Sequence, residues 1–406
     1  MERTGIELEE AVELITAQIH RITDTETVSL PEAAGRVLAE DCYSEMDNPP
    51  FDRSPLDGYA FCSRDVAEAG EGSPVKLMVT EVLYAGSWYK GPVEQGQAVR
   101  IMTGAPVPPG ADCVIRQEEV RTEEGSPGHV FIPHPMKAFE NYCFQGEDIK
   151  KGTRILEKGT FIGCLEQGIL ASVGITRVPV YRKPRIAFYV AGDELCQAGE
   201  KLAPGKIYDA NCWILSGRLR DLGYAPWVSR MMGDDPEAVA AEIREVIDQA
   251  DLIVTTGGVS VGDKDIFHQV LPLLGAERLF WRVKMKPGTP AMFAVFRGKP
   301  MIHLSGNPFA AAATLELLVR PALKCLTGDE NLSLRRVKAV LAAPFKKSGG
   351  RRFVRGRLED GIVTLPPAEK HASGMLFSMR GCNCLAEIPA SQVPMEAGEK
   401  VDVILL

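Results

Sequence analysis

A run of five apolar or β-branched residues, Leu252-Ile253-Val254-Thr255-Thr256, stops abruptly at Gly257-Gly258, and this leaves few folds open to the chain. Such an unbroken run suits a strand covered on both faces, as in a parallel sheet flanked by helices. The residues that follow, VSVGDKD, place Ser260 and Gly262 in a loop, and Asp263 and Asp265 at the start of a helix. At the C-terminal edge of a parallel sheet, glycines let the backbone approach a ligand and turn N–H groups toward an anion. Asp265 suits two roles there, capping the helix or holding a divalent cation.

The flanking sequence repeats the pattern. Arg185–Val190 reads as a buried strand and 209–222 as a helix with Leu215, Leu219 and Leu222 on one face. A strand is predicted over 224–229, then a helix opening at Asp234-Asp235-Pro236 with Val239, Ile243, Val246 and Ile247 inward. Proline is a favoured first helical residue. A helix from about 264 should kink or end at Pro272; a strand over 278–285, two short strands and an alanine-rich helix over 308–325, broken near Pro321, follow. Strands alternating with helices across this stretch predict a doubly wound, mostly parallel sheet.

Either side of it the pattern differs. Residues 6–22 set Leu8, Val12, Ile15, Ile19 and Ile22 on one helical face, a short helix is predicted from Pro31 to Gly35, and Val37–Tyr43 reads as a strand. Short strands at Tyr59–Phe61, Val75–Glu81, Gln97–Met102, Cys113–Gln117 and Val130–Pro133, split by Gly and Pro clusters, predict a small all-β module. A short helix around Leu165–Val173 precedes the boundary near Pro179 and Pro184. After 333 the pattern returns to strands: RRFVRGRL, a Glu359-Asp360-Gly361 turn, IVTL, 384–389 and 401–406, which make a small barrel or sandwich.

Composition narrows the functions. With 46 basic and 54 acidic residues the net charge is −8, which argues against general affinity for nucleic acid or an anionic membrane. The ten cysteines include no CxxC, and Cys382-Asn383-Cys384 has no second pair at metal-ligand spacing, so reduced thiols are expected. The N-terminal MERTGIELEEAVELI is acidic and amphipathic rather than signal-like, and no apolar run nears the ~18 residues of a membrane span. A cytoplasmic protein is expected.

Three loops at the predicted sheet edge carry chemistry: AGDEL (191–195), GGVSVGDKD (257–265), and the WRVKMKPGTP and LSGNP pair (281–290 and 304–308). With Asp234 they offer carboxylates at Glu194, Asp234 and Asp265, cations at Arg282 and Lys286, and N–H donors at the glycines and at Asn307-Pro308. Carboxylates beside cations and glycine turns suit a Mg²⁺-bridged phosphate. Singly, each has a plainer role: Asp57 as a turn-former, Asp235 and Asn307 as N-caps, Lys284 and Lys286 as a solvated face, and His268 as a packing residue. Thr103, between a strand and a proline-rich loop, presents a loop hydroxyl.

The segments FDRSPLDGYAF, RIMTGAPVPPGAD, GEDI, AGDEL, IYDAN, DDP, TTGGVSVGDKD, MKPGTP and LSGNP, in this order, closely resemble the MoeA family of molybdopterin molybdenumtransferases, which includes the gephyrin E domain. The resemblance implies an α/β multidomain chain. An N-terminal linker domain (1–50 and 142–180) would carry a small β domain (51–141), followed by a MogA-like α/β/α domain (181–327) and a C-terminal β-barrel (328–406). It implies insertion of molybdate into adenylylated molybdopterin with Mg²⁺-dependent release of AMP. It further implies a homodimer whose sites are shared between subunits, with molybdopterin adenylyltransferase and apo-molybdoenzymes as partners.

Carried over by motif, Asp57 and Thr103 would come from the partner subunit, and Glu194, Asp234 and Asp265 would serve the metal and the adenylate linkage. Arg282, Lys286 and the loops holding Gly257, Gly258, Ser260, Gly262, Ser305, Gly306, Asn307 and Pro308 would bind the anions. The chain departs from the usual pattern at Ala191, Arg282, Thr289 and Ser305, which bears on anion affinity and on molybdate against tungstate. Adenylyl transfer onto molybdopterin is a second reading, disfavoured by the additional N-terminal and β regions. A non-catalytic carrier is a third, disfavoured because a pure anion binder gains little from three added carboxylates.

Overall fold

Leu252–Thr256 is buried at every position and is an interior strand of a seven-stranded sheet, between Lys299–Leu304 and Ile186–Ala191. The computed structural model describes residues 3–122, 128–260 and 265–406. Across the sheet the strands run Arg3–Ile6, Glu277–Val283, Met292–Phe296, Lys299–Leu304, Leu252–Thr256, Ile186–Ala191 and Val228–Met232. Only Met292–Phe296 opposes its neighbours. It does so because Arg297 (φ 49°) and Gly298 (φ 72°) form a two-residue turn of the type that joins antiparallel strands. The remaining pairings are parallel.

Successive side chains of each inner strand serve opposite faces. Phe188, Val190, Leu252 and Val254 pack with Leu215, Leu219 and Leu315 on one face. Ala187, Tyr189 and Ile253 pack with Val239, Ile243 and Phe267 on the other. Both faces are therefore covered, and the doubly wound, mostly parallel sheet predicted from periodicity is present.

Several boundaries differ from expectation. Residues 3–6 form an edge strand paired with Glu277–Val283, and the helix covers only Leu8–Ala17. A partner 277 positions away, as Arg3 is from Phe280, leaves no local periodicity to read. The strand expected at 224–229 lies at Val228–Met232, because Pro226 has no N–H for the ladder and Tyr224 turns inward, its hydroxyl donating to Asp329 at 2.9 Å. The helix Phe267–Leu274 runs two residues past Pro272 and stops at Gly275 (φ 71°). From Pro308 to Thr327 the chain stays helical, and the expected break is a π-helical stretch, Leu315–Val319, just before Pro321. Between 37 and 43 only Cys42–Tyr43 forms a strand, so that expectation was too long.

The chain divides into two units, one of Met1–Thr27, Gly35–Ala39 and Pro179–Leu406, the other of Val28–Ala34 and Glu40–Val178. The second holds a five-stranded sheet ordered Cys113–Arg116, Gly58–Phe61, Gln97–Ile101, Val75–Leu83, His129–Ile132, so the predicted β module is found strand for strand. In the first, Arg336–Leu341, Ile362–Thr364, Arg352–Glu359, Cys384–Ile388 and Lys400–Leu405 close into a barrel, settling barrel against sandwich. Asp360 (φ 47°) and Gly361 (φ 78°) make the expected hairpin turn. Among the described residues no helix is long and apolar enough to cross a membrane.

Candidate functional site

The C-terminal ends of the parallel strands open onto a cleft of about 860 Å³. Its wall includes Glu194, Asp234, Gly257, Gly258, Ser260, Asp265, Lys286, Ser305, Gly306, Asn307 and Pro308, so most of the residues picked out by motif share one cavity. Gly262 lies outside the described residues. Arg282 is exposed, its guanidinium over the Trp281 ring at 5.5 Å, and is not part of this wall.

Each loop is held by its own hydrogen bonds. Gly257 adopts φ 94°, where a Cβ would stand 2.2 Å from the Ala191 carbonyl oxygen, so only glycine lets the two strand ends approach. The Gly257 N–H donates to Leu304 at 3.1 Å. Ser260 donates its N–H to Asp265 Oδ1 at 2.7 Å. The loops carrying Glu194 and Asp234 clasp each other: Asp234 N–H donates to Asp193 at 3.0 Å, and Asp193 N–H to Asp234 at 3.2 Å. The Glu194 carboxylate folds over Gly192 (φ 154°), where a Cβ would come within 2.7 Å of it.

The departures from the family pattern have local roles. Thr289 donates its hydroxyl to the Met285 carbonyl at 2.5 Å, closing the KPGTP loop. Ser305 Oγ accepts from Asn307 N–H at 3.4 Å, a weak brace in the LSGNP turn.

Two contributions were not visible in the sequence. Asn211, only 6 % exposed, donates through Nδ2 to Thr256 Oγ1 at 3.0 Å and to the Gly306 carbonyl at 2.7 Å. It joins the start of the helix Asn211–Asp221 to two loops of the cleft, and its Oδ1 has no partner among the described residues. The IYDAN motif marked the place without marking the role. The barrel supplies Arg352 and residues 371–374 to the wall. Lys286 N–H donates to the Arg351 carbonyl at 3.0 Å and its carbonyl accepts from Phe353 at 2.7 Å, which sets Arg352 beside Lys286. Phe309 N–H, at the start of the helix from Pro308, donates to Ser373 at 3.0 Å. His371, stacked on Phe345, is held below the ordinary imidazole range by burial and by nearby Arg352, Arg355 and Lys346, against a bond to the Pro366 carbonyl.

Asp57 and Thr103 belong to the other unit, where Thr103 donates both N–H and hydroxyl to Asp57 Oδ1 at 2.7 Å each. These bonds, the backbone one first, with Arg100 adding weakly, hold the half-buried Asp57 below the usual carboxylate range. The sequence picked both residues singly; the structure makes them a pair.

The cleft therefore offers hard oxygen donors, two cations and backbone amides on one surface. Among the described residues no three His, Cys, Asp or Glu side chains close to metal-ligand spacing. Three carboxylates around one cleft nonetheless fit a Mg²⁺ ion, which is bound through one or two carboxylates with substrate phosphates and water completing the shell.

Comparisons with known proteins agree along the whole chain. Residues 6–174 match the MoeA N-terminal region (domain I and II), 187–325 the "Probable molybdopterin binding domain", and 338–406 the MoeA C-terminal region (domain IV). The molybdopterin molybdenumtransferase of Staphylococcus epidermidis is 34 % identical over 99 % of this chain and 96 % of that protein. That of Bacillus subtilis is 33 % identical over 100 % and 95 %. The crystal structure of the molybdopterin biosynthesis MoeA protein from Pyrococcus horikoshii superposes with a TM-score of 0.82 at 32 % identity, covering 99 % of this chain and 100 % of that one. With motifs, fold and full-length relatives in agreement, the chain belongs to the MoeA family of molybdopterin molybdenumtransferases.

Proposed function

We propose that this chain inserts molybdate into the dithiolene of adenylylated molybdopterin, with Mg²⁺-dependent release of AMP, to give the molybdenum cofactor. One observation carries the reading: a single cleft gathers Glu194, Asp234 and Asp265 with Lys286, Arg352 and the amides of two glycine loops. Molybdate and a phosphoanhydride are both anionic, and cations with helix-terminal N–H groups are what such ligands require. Lys286 and Arg352 attract the oxyanion, and the loops Gly257–Ser260 and Ser305–Pro308 line the path of the pterin phosphate. Glu194, Asp234 and Asp265 would hold Mg²⁺, which when bound offsets the charge that develops on departing AMP. The Asp193–Asp234 clasp holds two of these carboxylate loops in register.

In this reading the enzyme is a cytoplasmic homodimer, and Asp57 with Thr103 completes the site of the partner subunit. The fixed, ionised Asp57 suits a role beside Mg²⁺ or the water that attacks the adenylate. The cofactor product passes to apo-molybdoenzymes.

The test supplies purified protein with adenylylated molybdopterin, molybdate and Mg²⁺. AMP should appear together with active cofactor, and EDTA should stop it. Asp57→Ala and Asp265→Ala chains should each be inactive, while mixed dimers regain one working site. Turnover in both single variants, or no recovery on mixing, would sink the shared site, and ATP consumption with free molybdopterin would point to adenylyl transfer instead.

A further inference from the structure

Asp209 lines the cleft between the short strand Ile207–Tyr208 and the helix Asn211–Asp221. It is only 5 % exposed, yet its two carboxylate oxygens differ in their surroundings. Oδ1 accepts from the Cys212 N–H at 3.0 Å and so caps the helix. Oδ2 has no hydrogen-bond partner among the described residues and, unlike the Asn211 Oδ1, is not closed to water. The Asp209 N–H donates to the Cys196 carbonyl at 3.0 Å, so backbone and carboxylate are both held. Among the described residues no Lys, Arg or His pairs with it.

A buried carboxylate with one open acceptor needs a donor. Water meets that need until a substrate displaces it, and the substrate must then bring a donor of its own or bind less well. Phosphate and molybdate oxygens bring none. The pterin does: its 2-amino group stands beside N3–H, so two donors lie side by side on one edge. On adenine the amino group stands between N1 and N7, whose lone pairs face a carboxylate unfavourably. Ile207 and Tyr208 also line the cleft and are 56 % and 46 % exposed, so apolar and aromatic surface for a flat ring adjoins Asp209 in the chain.

We propose that Asp209 recognises the pterin, Oδ2 accepting from the 2-amino group of adenylylated molybdopterin while Oδ1 keeps the helix capped. The assignment rests on the transferase reading and adds a residue that tells the pterin end of the substrate from the adenine end. A contact to the pterin, remote from the bonds that change, acts equally in the ground and transition states, so its loss raises KM and spares kcat.

Asp209→Asn tests this, because the amide oxygen keeps the Cys212 cap while an N–H donor replaces the open acceptor. AMP release by the wild-type chain checks the transferase reading separately. The variant should keep the wild-type thermal midpoint and kcat, raise the KM for adenylylated molybdopterin at least tenfold, and leave product inhibition by AMP unchanged. In the wild-type chain free pterin should compete with substrate at least tenfold better than lumazine, whose 2-oxo group replaces the amine; Asp209→Asn should abolish that preference. The wild-type comparison needs no variant, so a destabilised Asp209→Asn leaves the test standing. An unchanged KM, or equal competition by pterin and lumazine, would refute the contact. Weaker inhibition by AMP would move Asp209 to the adenine, and a lower kcat with a raised Mg²⁺ requirement would make it a metal ligand; either overturns the proposal.

Discussion

Replacing Asn211 by alanine should loosen the cleft from behind. The side chain is buried and gives two hydrogen bonds, at 3.0 Å to Thr256 Oγ1 and 2.7 Å to the Gly306 carbonyl. A net hydrogen bond contributes about 1 kcal/mol, and a buried acceptor left without its donor costs about 1–3 kcal/mol. Thr256 keeps its bond to the Ser305 carbonyl at 2.7 Å, so the main loss falls on Gly306. The sum is about 2–3 kcal/mol of local stability, or roughly 30- to 160-fold in an opening equilibrium. A chain of two units need not unfold in one step, so the reading must be local. Hydrogen exchange of peptides spanning 208–216 and 304–310 should accelerate by that factor, while peptides of the five-stranded sheet keep their wild-type rates. The KM for adenylylated molybdopterin should rise with it. Wild-type exchange across 304–310 in Asn211→Ala would refute the claim that this side chain ties the loops together.

Gly257→Ala forces a Cβ to 2.2 Å from the Ala191 carbonyl oxygen at φ 94°; the conformation alone costs about 1–2 kcal/mol, and AMP release should fall at least tenfold. Retention of wild-type activity and thermal midpoint would show that the strand ends can part without consequence. Asp251 is pushed up by burial but held lower still by Arg182, at 2.6 and 2.9 Å, and by the Arg185 N–H at 2.8 Å. Its folded pKa is thus depressed, so this stabilisation is complete above the ordinary carboxylate pKa of about 4 and disappears as pH falls through the lower folded value. Asp251→Ala should cost about 3 kcal/mol at pH 7 and flatten the acid limb of urea midpoint against pH; an unchanged limb would contradict the pairing. Thr103→Val removes the hydroxyl but keeps the N–H, so the Asp57 pKa, followed by carboxyl ¹³C shift, should move up toward the usual range; no movement would mean that the backbone bond alone sets it.

Much of the fold was legible because its signals are local. Leu252–Thr256 needs no partner to read as a strand covered on both faces, and Pro236 and Pro308 announce helix starts wherever the helices pack. The turns at Asp360-Gly361 and in the Gly257 loop likewise rest on dihedral freedom that belongs to the residue itself. What failed was non-local. Arg3–Ile6 becomes a strand only because Glu277–Val283 offers it an edge, and the shift of one strand to Val228–Met232 depends on Tyr224 reaching Asp329.

The candidate site divides along the same line. Residue types and motif order picked out the carboxylates, glycines and Lys286 that share the cleft, since oxyanion and phosphate chemistry demands such groups. Tertiary structure alone brought Arg352 beside Lys286, through backbone bonds joining the barrel to the KPGTP loop, and left Arg282 outside the wall on the Trp281 face. It also made Asn211 a tie between loops and buried Arg355 with two guanidinium nitrogens that have no hydrogen-bond partner among the described residues. The physical reason is common to all four. A side chain's intrinsic chemistry is a property of one residue, whereas its burial and its partner are set by segments of chain far away in sequence.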